Sequence, residues 1–179
     1  MPRRPLLRPL PPGRRPGRPG PVGTLLHASL LVGAVLGGSL LLSACSAAVP
    51  VQAAPEGGSP GCATVMAALP ATLADAPRRD TTGGAGTAAW GDPAILLRCG
   101  VEPLGATSQP CVGVPTDDGG EVDWVVLAGD GTGSIVRTYG RVPAVEVEVP
   151  GRYGPAPVSV LPGLGEALQA IEPTSVCVD

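Results

Sequence analysis

The chain has 179 residues, 44% of them hydrophobic, and a formal charge of −3, with 27 Gly, 23 Pro and no Phe. That length is used by one domain of ordinary size, and the apolar share suffices for a packed core. The charge is split: six of twelve Arg (Arg3, Arg4, Arg8, Arg14, Arg15, Arg18) precede all fifteen carboxylates, so the chain from Cys45 onward carries −9 and repels nucleic acid.

Residues 1–21 hold eight Pro and six Arg and form no regular helix. Val22 to Ala44 contains neither Pro nor a charged side chain, and Leu25, Leu26, Leu30, Leu31, Val32, Leu36 and Leu40 make it an apolar helix candidate. A basic segment ahead of an apolar one is the pattern of a secretory leader whose positive end stays inside. Pro follows both Arg pairs and the apolar run starts late, which favours general secretion over a twin-arginine route. The run ends in Leu42-Ser43-Ala44-Cys45, which matches the lipobox of bacterial lipoproteins. There the Cys thiol takes a diacylglyceryl group, and small residues before it admit the peptidase. An uncleaved transmembrane anchor is the alternative, since the run has about the length needed to span a bilayer. Residues 1–44 are therefore expected to be a lipoprotein signal peptide, Cys45 the lipidated residue and 45–61 a flexible Ala/Pro/Gly/Ser tether.

The domain is expected over 62–179. Val65, Leu69 and Leu73 predict a helix over 62–76, kinked at Pro70, and Arg78-Arg79 open a Gly-rich loop. Thr87–Trp90 and Ala94–Val101 flank the turn Gly91-Asp92-Pro93, and the run Ile95-Leu96-Leu97 reads as a strand buried on both sides. Further strands are predicted over 111–114, 121–127 and 134–139. Val145, Val147 and Val149 alternate with Glu146 and Glu148, as in a strand with one wet face. Val158–Ile171 reads as a second helix, weakened by Gly163 and Gly165. The predicted fold is α+β: a small antiparallel sheet with a helix before and a helix after it, both on one face, stapled by disulfides.

With Cys45 set aside, four Cys remain, and an even number in a secreted domain points to bridges. Of the three pairings, Cys62–Cys99 with Cys111–Cys177 is the expected one. No C-x-x-C occurs, and no His follows His27, which leaves little to hold a metal or run redox chemistry.

Short blocks along the domain carry a resemblance: Leu69-Pro70 with Leu73, Arg78-Arg79, Ala89-Trp90-Gly91-Asp92-Pro93, Leu97-Arg98-Cys99-Gly100-Val101 and Val122-Asp123-Trp124. Behind a secretory leader, they resemble the actinobacterial secreted or membrane family known as domain of unknown function 3515. Glu121 stands where members often have Gly. The resemblance implies a cell-envelope protein and assigns no functional residue.

Trp90, Asp92 and Arg98 could line a site in which Trp stacks on a sugar and Arg holds a carboxylate or phosphate. The plainer reading is a core Trp, a turn Asp and an Arg paired with a carboxylate. Asp123 and Trp124, neighbours on a strand, face opposite sides, so one of them at most serves a given site. Asp117, Asp118, Glu121, Asp123 and Asp130 lack calcium-loop spacing and read as turn residues. Arg78-Arg79 could meet anionic lipid or cell-wall phosphate, but two charges attract weakly and a solvated loop is the plainer reading. The Gly-rich stretches 83–86 and 129–133 lack a phosphate-loop Lys.

Beyond His27 the chain has neither His nor Lys, which excludes Ser-His-Asp, Cys-His, Ser-Lys and Schiff-base catalysis there. A carboxylate pair such as Asp92 and Asp123, working on cell-wall glycan, is the enzymatic alternative. The favoured expectation is a non-enzymatic, cofactor-free module on the outer face of the cell membrane. It would be lipid-anchored, with an envelope protein or a cell-wall component as partner. A single-pass structural accessory is the third reading.

Overall fold

Helix α1 (Pro60–Ala68) begins where its sequence supplies a cap. The Ser59 hydroxyl accepts from the Cys62 amide at 3.4 Å, and Pro60 takes the first helical position, where no N–H is needed. It ends at Leu69, whose extended backbone (ψ 139°) is what a residue ahead of Pro70 adopts. The expected helix over 62–76 therefore stops early. Leu73 and Ala76 instead face each other across a tight hairpin between β1 (Thr72–Leu73) and β2 (Ala76–Arg79), with Ala74 and Asp75 at positive φ.

The computed structural model describes residues 47–116, 119–129, 132–154 and 157–178, all within the unit Cys45–Asp179. The expected signal peptide and lipobox, with Cys45, and Asp117, Asp118 and Asp130 lie outside the described residues. After β2 come β3 (Thr87–Trp90), β4 (Ile95–Val101), β5 (Cys111–Pro115), β6 (Glu121–Gly129), β7 (Gly133–Thr138) and β8 (Ala144–Pro150). The eight strands form one antiparallel sheet in the order β1-β2-β3-β4-β8-β7-β6-β5. A bulge between Cys99 and Val101 shifts the β4–β8 register, and Gly100 supplies the positive φ (85°) that it needs.

One face carries the core. Trp90, Ile95, Leu97, Val122, Trp124, Val136, Val145 and Val147 pack there against Val65 of α1 and Leu164 and Leu168 of the C-terminal segment. With no Phe, the two fully buried Trp are the largest core side chains. The expected second helix is broken into 3₁₀ turns at Pro157–Ser159 and Leu161–Leu164 and one α turn, α2 (Gly165–Gln169). Pro157, Pro162, Gly163 and Gly165 interrupt what the apolar spacing alone makes continuous. Its apolar side still faces the sheet, so both helices lie on one face, as predicted. Buried Arg141 clasps the end of this segment, donating to Leu168 O (3.2 Å), Ile171 O and Glu121 O (3.1 Å). Burial pushes its pKa down, while the charges of Asp123 and Glu172 act the other way.

The disulfides are Cys62–Cys99, joining α1 to β4, and Cys111–Cys177, tying the C-terminal tail to β5. Their Cα–Cα distances are 5.6 and 5.8 Å.

Residues 47–59 correct the expected tether. Val49 bridges Thr81, and Val49 and Val51 bury against Ala89 on the second face of the sheet, beside Ala94 and Leu96. Ala54 packs with Val101 and Ala144, and the Glu56 amide donates to Gly100 O at 3.1 Å. The packed domain thus begins well before Cys62. The cover also explains why Leu96, on the face opposite Leu97, is apolar.

Candidate functional site

Glu146 was expected on the wet face of β8, yet only 7% of it is exposed. Register explains the difference: Glu146 lies directly between Arg98 of β4 and Arg137 of β7, and each Arg pairs with one of its carboxylate oxygens. Burial alone pushes this carboxyl up; the hydrogen bonds from Arg137 and Arg98, with their charges, outweigh it and hold the group below the usual glutamate range. Arg98 is thereby committed to Glu146, as the plainer sequence reading has it.

The other candidate residues part company. Trp90 is buried on the core face, and its indole N–H donates to Pro70 O at 3.0 Å. Trp124 is buried in the same core, and Asp123 faces the other way, where its Oδ2 accepts from the Cys177 amide at 2.8 Å. Asp92 lies in the β3–β4 turn, level with the Gly129 end of β6, whereas Asp123 is near that strand's start. Three strand spacings across (~14 Å) and six residues along (~20 Å) separate them. Carboxylates of a glycosidase stand about 5–10 Å apart. This pair does not form one.

One cluster gathers charge at an open surface. The β1–β2 hairpin, the β3–β4 turn and the segment after β8 enclose a groove of about 540 Å³ lined by Asp75, Arg78, Arg79, Asp92 and Arg152. Arg79 spans the floor, donating to Gly91 O (2.9 Å) and to Ala47 O (3.0 Å). The Arg78 guanidinium lies 5.8 Å from the centre of the Trp90 ring. Arg152 lies 4.9 Å from that of Tyr153 and donates to Asp92 O. The Tyr153 hydroxyl in turn donates to Pro93 O at 3.2 Å. Among the described residues the ion pairs are those of Glu146, so none of the three groove guanidinium groups forms an ion pair with a described carboxylate, although Asp75 and Asp92 line the same groove. The exposed guanidinium groups of Arg78 and Arg152 suit a carboxylate or phosphate. A metal ion would meet three cations here, and among the described residues no three His, Cys, Asp or Glu side chains gather as a metal site.

The sequence predicts a loop at Arg78-Arg79 and gives no signal for Asp75 or Arg152. Arg79 lies on a strand, and Arg152 reaches the groove from a segment 60 residues beyond Asp92. No spacing in the sequence announces that meeting. A second depression of about 500 Å³, around Pro93, Gly129 and Pro150, has Glu148 as its charged lining residue.

The family model described as "Protein of unknown function (DUF3515)" matches residues 24–174. The chain belongs to the DUF3515 family. No curated protein and no solved structure matches it. In this DUF3515 protein, no helix among the described residues is long and apolar enough to cross a membrane. Its two disulfides are consistent with an extracytoplasmic location.

Proposed function

We propose that this DUF3515 protein is a lipid-anchored module on the outer face of the cell membrane that binds or supports another envelope component without catalysing a reaction. The observation that carries this reading is the pair of disulfides in a domain that follows a basic, apolar, lipobox-ended leader. Structural bridges of this kind persist in oxidising compartments. Against catalysis stand the lack of His and Lys after Cys45 and the wide separation of Asp92 from Asp123. In favour of binding stands the groove, where three guanidinium groups meet two carboxylates without a described ion pair among them.

Metabolic labelling with an alkyne fatty acid tests the anchor. The wild-type chain takes up label and Cys45→Ser does not. An unlabelled wild-type chain of full leader length would replace the lipid anchor with a transmembrane one.

A further inference from the structure

We propose that exposed Arg78 and Arg152, in the groove whose wall Arg79 fixes through Gly91 O and Ala47 O, seat the phosphodiester of an anionic phospholipid headgroup, and so turn this edge of the sheet to the membrane. The inference rests on the lipid-anchor reading and adds a ligand to it. Arg79 holds the carbonyl of Ala47, and Cys45 is two residues upstream in the chain. At most about 3.6 Å of backbone per residue separates them, so an acylated Cys45 brings the headgroup layer within ~7 Å of the backbone that Arg79 grips. A longer free tether would have left the domain's orientation open. The packed course of residues 47–54 shortens it to Ser46.

The groove's chemistry fits that position. From Cys45 onward the chain carries six Arg and fifteen carboxylates, so an anionic surface repels the domain as a whole. Three of those six Arg meet at this groove, where they outnumber Asp75 and Asp92. Arg78 and Arg152 are exposed, and each guanidinium is steadied by an aromatic ring rather than spent on an ion pair. Arg79 is fixed by two backbone carbonyls, so the site is shaped before a ligand arrives. A volume of about 540 Å³ admits a phosphate with its glycerol, and bidentate guanidinium forks match phosphate oxygens.

The test is native mass spectrometry of the full-length gene product, purified from membranes in a non-ionic detergent. The probes are phosphatidylglycerol, phosphatidylcholine and inorganic phosphate. The expected result is that the wild type retains phosphatidylglycerol over phosphatidylcholine. Arg78→Gln with Arg152→Gln weakens that retention about 25-fold, at about five-fold for each surface Arg. Both changes are at exposed side chains, and near-UV circular dichroism of the buried Trp checks that the variant is folded. Equal retention of the two lipids by the acylated wild type would overturn the proposal, as would a folded double variant that binds like wild type. Inorganic phosphate binding as tightly as phosphatidylglycerol, and displacing it fully, would assign the groove to free phosphate instead. Denaturing mass measurement of the same sample reports acylation of Cys45 separately. An unacylated chain that still selects phosphatidylglycerol would sink the anchor and keep the groove.

Discussion

Glu146 illustrates what a single residue owes to its neighbours in register. Alternation along β8 assigns it to solvent, and only the pairing of β8 with both β4 and β7 reveals two Arg beside it. Glu146→Gln keeps the shape and leaves Arg98 and Arg137 facing each other. We expect a loss of about 3 kcal/mol in denaturant unfolding at neutral pH. This is the low end of the range for breaking a buried pair, because water screens Arg98, whose side chain is 35% exposed. The folded carboxyl titrates below its unfolded value. Its contribution is therefore present above the ordinary glutamate range and is lost as pH falls through the lower folded value. Wild-type stability should drop across that acid window, and the Gln variant should lose less there.

At the scale of elements, legibility followed local chemistry. Strands β3 to β8 announced themselves through apolar runs, alternation and the turn Gly91-Asp92-Pro93. Leu73-Ala74-Asp75-Ala76 carries no Gly or Asn to mark a turn, so the sequence predicts helix through Ala76 and loop from Arg78 where the structure has the β1–β2 hairpin. The C-terminal segment shows the converse: its apolar stripe is helical in period, but Pro and Gly split the backbone while the stripe stays buried. The two staples differ in what they hold. Cys62 and Cys99 are fully buried between α1 and β4, whereas Cys177 pins an otherwise exposed tail. Each closed loop contributes about 4 kcal/mol by chain entropy. Replacing Cys62 and Cys99 by Ala should lower the unfolding midpoint of the whole domain. Replacing Cys111 and Cys177 by Ser should in addition speed hydrogen exchange selectively over 172–178. Uniform exchange in the second variant would contradict this division.

For the molecule as a whole, the α+β class and the one-sided placement of the helices are legible in residue order, whereas four Cys allow three pairings and only the fold selects Cys62–Cys99 with Cys111–Cys177. The groove is not legible in that order. Asp75, Arg78, Arg79, Asp92 and Arg152 come from three separate stretches, and only the folded sheet brings them to one edge. The packing of residues 47–59 was equally hidden, because an Ala/Pro/Gly-rich stretch looks like a linker until Val49, Val51 and Ala54 find apolar partners. Anchorage and an oxidising location both depend on where the mature chain starts. Intact-mass and peptide analysis of protein isolated from its own cells reads this directly. The expected result is a chain that begins at diacylglyceryl-modified Cys45, with Cys62 joined to Cys99 and Cys111 to Cys177. A chain beginning at Met1 or Pro2, with Cys45 unmodified and four free thiols, would contradict it.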